Sequence, residues 1–343
     1  MKPFSELTRL GRLRRLRRLA REALEVYGLD GARLTFIQYE GNVIYRVDVP
    51  VWRSKTGGLS LYNENRYVLR ILTTSDMDYA RSELTWLAAL SQAGLPVPSP
   101  MPTQEGELLT KIATPGVPNG KIVSIMRWIN RRRLTKGFRK HHLRTLGKII
   151  ARLHTFSADW KPPEGFTRPH WDWDGQLGGR EFRFPLKKLV ESMPGIYREP
   201  FQIVSQQVKQ VTQLFGKDTD AYGLIHSDLY PENMLFKGRQ VFPIDFEDCG
   251  YGYWIWDIAI ALCSWPWTEE WYWMREAFLE GYFQIRTLPE AQLQHLDLFM
   301  AAQYATMVLW STMFIQNDPA MRVEYEAWRE REGNKLMLYA ERR

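Results

Sequence analysis

Four residues in one short stretch carry side chains that could do chemistry together: His226, Asp228, Asn233 and Asp245, in residues 225–250, IHSDLYPENMLFKGRQVFPIDFEDCG. Apolar runs at 234–236 and 241–244 flank Lys237-Gly238-Arg239, the pattern of two short strands joined by a glycine-containing turn. A hairpin returns its ends to each other, so Asn233 before the first strand and Asp245 after the second are expected side by side. An amide oxygen and a carboxylate are hard ligands suited to Mg²⁺, an ion that keeps several waters and takes its remaining ligands from substrate phosphates. Asp228 stands on a loop that Pro231 keeps from becoming helix, so its carboxylate can face the same space and orient a nucleophile without holding metal. The plain alternative is an acidic surface hairpin.

The elements around this stretch bear on the choice. His226-Ser227-Asp228-Leu229-Tyr230-Pro231-Glu232-Asn233 fits the kinase catalytic-loop pattern H-x-D-L-x-x-x-N, and Ile244-Asp245-Phe246-Glu247 takes the place of D-F-G. In detail the stretch resembles the aminoglycoside phosphotransferase and choline kinase-like family of small-molecule kinases, whose loops read H-x-D-x-x-x-x-N and whose metal strand reads I-D-F/W-x-x. The resemblance implies an α+β, bilobal protein kinase-like fold, with an N-lobe antiparallel sheet carrying one helix and a mostly helical C-lobe. It also implies ATP and Mg²⁺, and transfer of the γ-phosphoryl group to a hydroxyl of a small molecule. Asp228 would then accept or orient the hydroxyl proton, and Asn233 and Asp245 would hold the metal, with His226 in a structural role beside them.

Composition agrees with such an enzyme. A chain of 343 residues, 45% hydrophobic, exceeds the usual size of one domain and can bury a sizeable core. No apolar run reaches the roughly 18 residues of a membrane span. The N-terminus lacks the apolar core of a secretory signal, and two cysteines imply no disulfide framework, so a cytoplasmic location is expected. The net charge of +7 is local: residues 1–34 hold nine Lys and Arg against four Asp and Glu, the remainder 37 against 35. No nucleic-acid partner is therefore expected.

Three parts follow: a basic amphipathic helix within 1–33, an N-lobe over 34–127 and a C-lobe over 128–343. In the first, Leu7, Leu10, Leu13, Leu16 and Leu24 lie near one helical face of residues 5–27, among seven arginines. Such a face packs on its own domain or meets a membrane, a nucleic acid or a partner. Strands are expected at 34–38 and 43–47 about a turn holding Gly41 and Asn42, whose amides the family would use over nucleotide phosphates. Residues 50–65 read as a long surface hairpin. A strand at 67–72 places Arg70 where kinases carry the V-A-I-K lysine, and a helix at 78–93 places Glu83 where it would hold that cation. Strands at 108–112 and 121–128 follow, and residues 124–128, with Met126 and Trp128, stand at the family's adenine-binding hinge. Arg131, Arg132, Arg133 and Lys136 form a basic cluster that reads as a solvated turn.

In the C-lobe, a helix at 141–156 ends in the family-like Ala151-Arg152-Leu153-His154, an irregular insertion fills 159–185, and one helix is expected from 186 to 215. Trp256-Asp257-Ile258-Ala259 resembles the family's buried C-lobe helix, whose aspartate would brace the catalytic-loop backbone. Candidates for the acceptor site are Asp172, Asp174, Trp267, Glu270 and Trp271, since aromatic faces beside carboxylates suit a cationic alcohol of aminoglycoside, choline-like or amino-alcohol type. A Ser/Thr protein kinase of the same fold is the alternative, without an A-P-E-like segment after Asp245. A nucleotide-binding pseudokinase is another, although Asp228, Asn233 and Asp245 are all present.

Overall fold

The computed structural model describes residues 2–50, 62–130, 132–134, 137–318 and 321–342. The expected hairpin at 50–65, for the most part, and Arg131 and Lys136 of the basic cluster lie outside the described residues. The chain divides into two compact units, Met1–Arg132 with Pro162–Thr167, and Arg133–Lys161 with Arg168–Arg343.

The first unit opens with helix α1 (Arg9–Val26), whose N-cap Thr8 accepts from the Gly11 N–H. Leu16, Leu19, Ala20, Ala23 and Leu24 turn inward at helical spacing and share one core with strand residues Val43, Tyr45, Val47, Leu69 and Ile125. The inward face is thus displaced from the expected one: Leu10 is exposed, and the helix is part of this unit. Several of its arginines are spent on backbone carbonyls, Arg15 on Gly116 and Lys2, Arg17 on Leu34.

Strands β1 (Arg33–Glu40), β2 (Asn42–Asp48), β3 (Tyr62–Ile71), β4 (Pro100–Met101), β5 (Leu109–Ile112) and β6 (Lys121–Ile129) form an antiparallel sheet in the order β1-β2-β3-β6-β4, with β5 also on β6. Helix α2 (Met77–Gln92) starts at Asp76, whose side chain accepts from the Asp78 and Tyr79 N–H groups. It buries Ala80, Glu83, Leu84, Leu87 and Leu90.

A two-residue strand β7 (Arg132–Arg133) precedes the helical unit. Helix α3 (Lys140–Asp159) is followed by a segment that is not wholly irregular, since it contains β8 (His170–Trp171) and α4 (Trp173–Gln176). The single helix expected at 186–215 is two, α5 (Leu186–Ser192) and α6 (Gly195–Phe215). Pro194 separates them: it lacks an N–H and disfavours helix in the residue before it, and Met193 is extended.

Next come β9 (Tyr222–Ile225), β10 (Met234–Lys237), β11 (Gln240–Pro243), β12 (Gly250–Tyr253), and helices α7 (Trp254–Leu262), α8 (Glu269–Tyr282), α9 (Glu290–Leu293), α10 (Leu296–Asn317) and α11 (Arg322–Glu341). Strand β12 lies between β8 and β9. Every residue of α7 is buried, which fixes it as the centre of the unit. Helix α10 is long and apolar enough to cross a membrane by length and composition, but most of it is buried within the unit, against α7, α6 and α11. That span was not expected from the sequence, because Gln303, Thr306, Ser311 and Thr312 interrupt its apolar run.

Helices α3 and α8 cross through glycine. A Cβ on Gly147 would stand 2.0 Å from the Phe278 carbonyl oxygen, and one on Gly281 would stand 1.9 Å from that of Arg144. The two backbones therefore touch.

Candidate functional site

The pairing Lys237↔Gln240 in the β10–β11 hairpin leaves Gly238 and Arg239 as its tip, with Gly238 at φ +56°. The ladder runs back to Met234↔Pro243, and the Ile244 N–H donates to the Asn233 carbonyl at 2.9 Å. Asn233 and Asp245 are thus neighbours across the open end of the hairpin. Asp245 has φ +66° and Ser227 φ +68°, left-handed backbone at two non-glycine residues. Such conformations persist only where the surroundings hold them.

Those surroundings begin with Asp257 on α7, wholly buried, whose carboxylate accepts from the His226 N–H at 3.1 Å and the Ser227 N–H at 2.8 Å. His154 on α3 gives Asp257 a third bond from Nε2 at 3.1 Å, while its Nδ1 meets the Tyr282 hydroxyl at 2.9 Å. His226 is also buried: Nδ1 accepts from the Asp228 N–H at 3.2 Å, which leaves Nε2 to donate to the Ile244 carbonyl at 3.0 Å. One imidazole therefore ties the loop carrying Asp228 to the strand end carrying Asp245. Burial holds both histidines below the usual imidazole range, against the opposing pull of Asp257.

The Asn233 side-chain amide donates to the Asp228 carbonyl at 3.0 Å and to its carboxylate. Its own oxygen faces away from those bonds and is left as an acceptor. The Asp228 carboxyl stands well above the usual carboxylate range, first because it is desolvated, then because Asp248 and Asp245 crowd it with like charge. Among the described residues no group of three or more His, Cys, Asp and Glu side chains could hold a metal unaided. The donor set is instead one amide oxygen and exposed carboxylate oxygen beside an electrostatically crowded site, which fits a hard divalent cation that keeps waters and shares phosphate ligands.

A cavity of about 710 Å³ opens beside Asp228 within this unit. Ser227, Tyr230, Asn233 and Asp248 of the catalytic-loop region line it together with Gln303, Trp310 and Phe314 of α10 and Trp328, Glu332 and Lys335 of α11. Gln303 fixes the Tyr230 ring, donating to its hydroxyl at 2.9 Å while accepting from Trp256 Nε1 at 3.0 Å. None of the expected acceptor residues Asp172, Asp174, Trp267, Glu270 and Trp271 lines this cavity. Trp271 is buried in the core, and Trp267 stacks on Tyr339 at 6.0 Å under the Arg342 guanidinium. Asp172 caps α4 through the Gly175 N–H and binds Lys217 at 2.7 Å, while Asp174 and Glu270 are solvent-exposed. The cavity residues were legible only as helical faces: 303, 307, 310 and 314 on α10, and 328, 331, 332 and 335 on α11, share the spacing of one face.

In the first unit, Arg70 and Glu83 are both buried and pair at 2.8 Å, and Arg70 Nε donates to Ser124 Oγ at 3.3 Å. Gly41 has φ +64°, and a Cβ there would meet nothing within 4 Å, so the turn needs glycine for its backbone rather than for space. The Asn42 side chain accepts from the Thr73 N–H at 2.8 Å and so braces that turn. Met126 and Trp128 lie within β6, which runs to Ile129, and Met126 is flanked by Val68 of β3 and Pro100 of β4. The strand expected at 121–128 is thus present, and the stretch 124–128 expected to serve the adenine lies in it.

The model of the phosphotransferase enzyme family matches residues 48–293, more than half of the chain. The chain belongs to that family. It is a small-molecule kinase of the family, with an alcohol group as acceptor. It is 25% identical over 258 residues to an amicoumacin kinase of Bacillus subtilis, covering 69% of this chain and 71% of that one. To a homoserine kinase of Agrobacterium fabrum it is 27% identical over 240 residues, covering 66% and 68%. The solved structure of a microcompartment-associated aminopropanol kinase superposes with a TM-score of 0.75 at 23% identity, over 94% of this chain and 97% of that one. The fold is the bilobal α+β fold of protein kinase-like phosphotransferases.

Proposed function

We propose that this phosphotransferase moves the γ-phosphoryl group of Mg-ATP to the hydroxyl of a small amine-bearing alcohol. The observation that carries the reading is the position of Asp228: its carboxylate is fixed by Asn233 and borders a cavity of about 710 Å³. In the transfer, the bond between the γ-phosphorus and the ADP oxygen breaks, a bond from the acceptor oxygen to that phosphorus forms, and the hydroxyl proton passes to Asp228. Asn233 and Asp245 would hold Mg²⁺, which when bound neutralises charge on the phosphates. Arg70, positioned by Glu83, would grip nucleotide phosphates, and the Gly41–Asn42 turn would cover them. Met126 and Trp128 would serve the adenine through β6. Positioning and charge neutralisation supply most of the rate, so little covalent chemistry is asked of the protein.

Asp228, Glu232, Asp248 and Glu332 give the cavity four carboxylates against two cations, Arg331 and Lys335, a balance that favours an amine on the acceptor over an anionic group alone. Its volume falls in the range of small-molecule sites. Cys249 and Cys263 are buried thiols rather than a disulfide framework, which agrees with a cytoplasmic enzyme. The test is Asp228→Asn assayed for ATP-dependent phosphorylation against a panel of aminoglycosides, amino alcohols and hydroxy amino acids. Transfer is expected to fall by a factor on the order of 10² or more, as for loss of a general base. Full transfer by that variant would remove Asp228 from the mechanism.

A further inference from the structure

We infer that the acceptor carries a carboxylate as well as an amine and an aromatic or apolar body, with the charged cluster of α11 as its receptor. The inference rests on the reading of the cavity beside Asp228 as the acceptor site. Glu332 is 3% exposed, and its carboxylate is met by Lys335 Nζ at 3.0 and 3.3 Å and by Arg331 Nε at 2.8 Å. All three residues line the cavity.

A buried ion pair contributes little to stability compared with well-packed apolar residues, because desolvation offsets the attraction. Helix α11 keeps such a pair where a ligand would see it. Two cations on one carboxylate leave a positive surplus; the Arg331 side chain is 65% exposed and solvent-screened, whereas Lys335 is only 18% exposed, so the charge a ligand meets is chiefly the lysine's. An ammonium offers three N–H donors, of which the two Glu332 oxygens can engage two. A ligand carboxylate can take the third and, with it, the outer guanidinium of Arg331. The carboxylate of Glu332 retains lone pairs for a ligand amine on the same side. An alcohol with an amine alone would leave Lys335 and Arg331 with Glu332 as the one anion they share.

The body of the acceptor follows from the wall. Trp310 stacks on Phe314 at 5.7 Å and 28°, and Phe314 on Trp328 at 6.1 Å and 22°, a continuous aromatic surface along one side. A three- or four-carbon amino alcohol would fill little of a volume that falls in the range of drug-sized ligands. An aromatic amino acid bearing a hydroxyl matches wall, charges and size together.

Trp171, Trp310 and Trp328 line the cavity, so intrinsic fluorescence reports binding without turnover. Wild-type protein is titrated with 3-phenylserine, which has amine, carboxylate and hydroxyl on a phenyl body, and with 2-amino-1-phenylethanol and 3-hydroxy-3-phenylpropanoate, which lack the carboxylate and the amine respectively. Phenylserine is expected to bind at least about tenfold more tightly than either, the ratio that one desolvated charge contact of about 1.4 kcal/mol supplies. Lys335→Met should erase its advantage over 2-amino-1-phenylethanol, and Glu332→Gln its advantage over 3-hydroxy-3-phenylpropanoate, with circular dichroism confirming that each variant is folded. Equal or tighter binding of 2-amino-1-phenylethanol by the wild type overturns the inference, as does an absence of quenching by all three at millimolar concentration. Phosphorylation of simple amino alcohols in either case would show that the kinase reading survives.

Discussion

Asp257 holds Ser227 in left-handed backbone: its Oδ1 accepts the Ser227 N–H at 2.8 Å while Oδ2 accepts that of His226. The carboxylate never reaches the cavity, so its effect on phosphoryl transfer passes through the loop it clamps. Asp257→Ala orphans both N–H groups and His154 Nε2, at about 1–3 kcal/mol for each buried donor left without a partner. Urea unfolding should show most of that loss, and the folded fraction should transfer phosphate at least about tenfold more slowly, as for misplacement of a reacting group. Normal stability and normal turnover together would sink the clamp.

Asp245 and Asp228 should separate in nucleotide binding. Asp245→Ala removes a metal ligand and is expected to weaken Mg-ATP binding by about tenfold or more at limiting Mg²⁺, the scale on which metal-site residues act. Asp228→Asn should slow transfer while keeping nucleotide affinity. Calorimetric titration with a non-hydrolysable ATP analogue distinguishes the two, and unchanged affinity in Asp245→Ala would count against the metal assignment.

The Arg70–Glu83 pair is buried in the first unit, and removing one partner of such a pair strands the other charge. Arg70→Lys should retain partial ATP turnover and Arg70→Ala lose most of it, with Glu83→Gln in between. If Arg70→Ala binds and turns over ATP like the wild type, β3 does not serve the nucleotide.

Acid should loosen the fold through two histidines. His154 and His226 titrate below their ordinary value because burial disfavours the charged form. In the unfolded chain they return to about 6.5, so below that pH the unfolded state binds more protons than the folded one. Stability is therefore fully present above about pH 6.5 and lost as pH falls toward the folded values. The urea midpoint should fall by less, or rise by more, between pH 7.5 and 5.5 in His154→Asn than in the wild type, since Asp228, whose raised carboxyl acts in the opposite sense, is common to both. An identical pH response in the two proteins would contradict this.

Gly147→Ala should cost about 3 kcal/mol, at the upper end of overpacking, because the clash is with backbone rather than a side chain that can swing aside. A melting temperature within a degree of the wild type would mean that α3 and α8 can separate at no cost.

The hairpin carrying Asn233 and Asp245 was legible in the sequence because two short apolar runs and Gly238 between them are local signals. Arg70 and Glu83 were legible as a pair only through the resemblance to kinases, which fixes partners far apart in the chain. The wall of the cavity beside Asp228 was not legible. The tryptophans at 265–273 are dense in sequence near the catalytic hairpin, but Trp271 faces the core and Trp267, at φ +50°, turns toward Tyr339. The residues that do border Asp228 come from α10 and α11, where packing of distant helices decides what faces a cavity. The displaced face of α1 has the same origin: leucines recur often enough to suggest several faces, and the sheet selects one.

Helix α10 leaves the ribosome before the helix that covers it. Its 22 residues include fifteen that are buried in the finished unit, and α11, whose Leu336 and Tyr339 join the same core, follows it in the chain. Until α11 docks, a long apolar segment stands open to other chains, the situation in which nascent proteins associate wrongly or recruit holdases. Production of this enzyme should therefore be limited by aggregation during synthesis more than by the stability of the finished fold, and slower translation or lower temperature should raise the soluble yield.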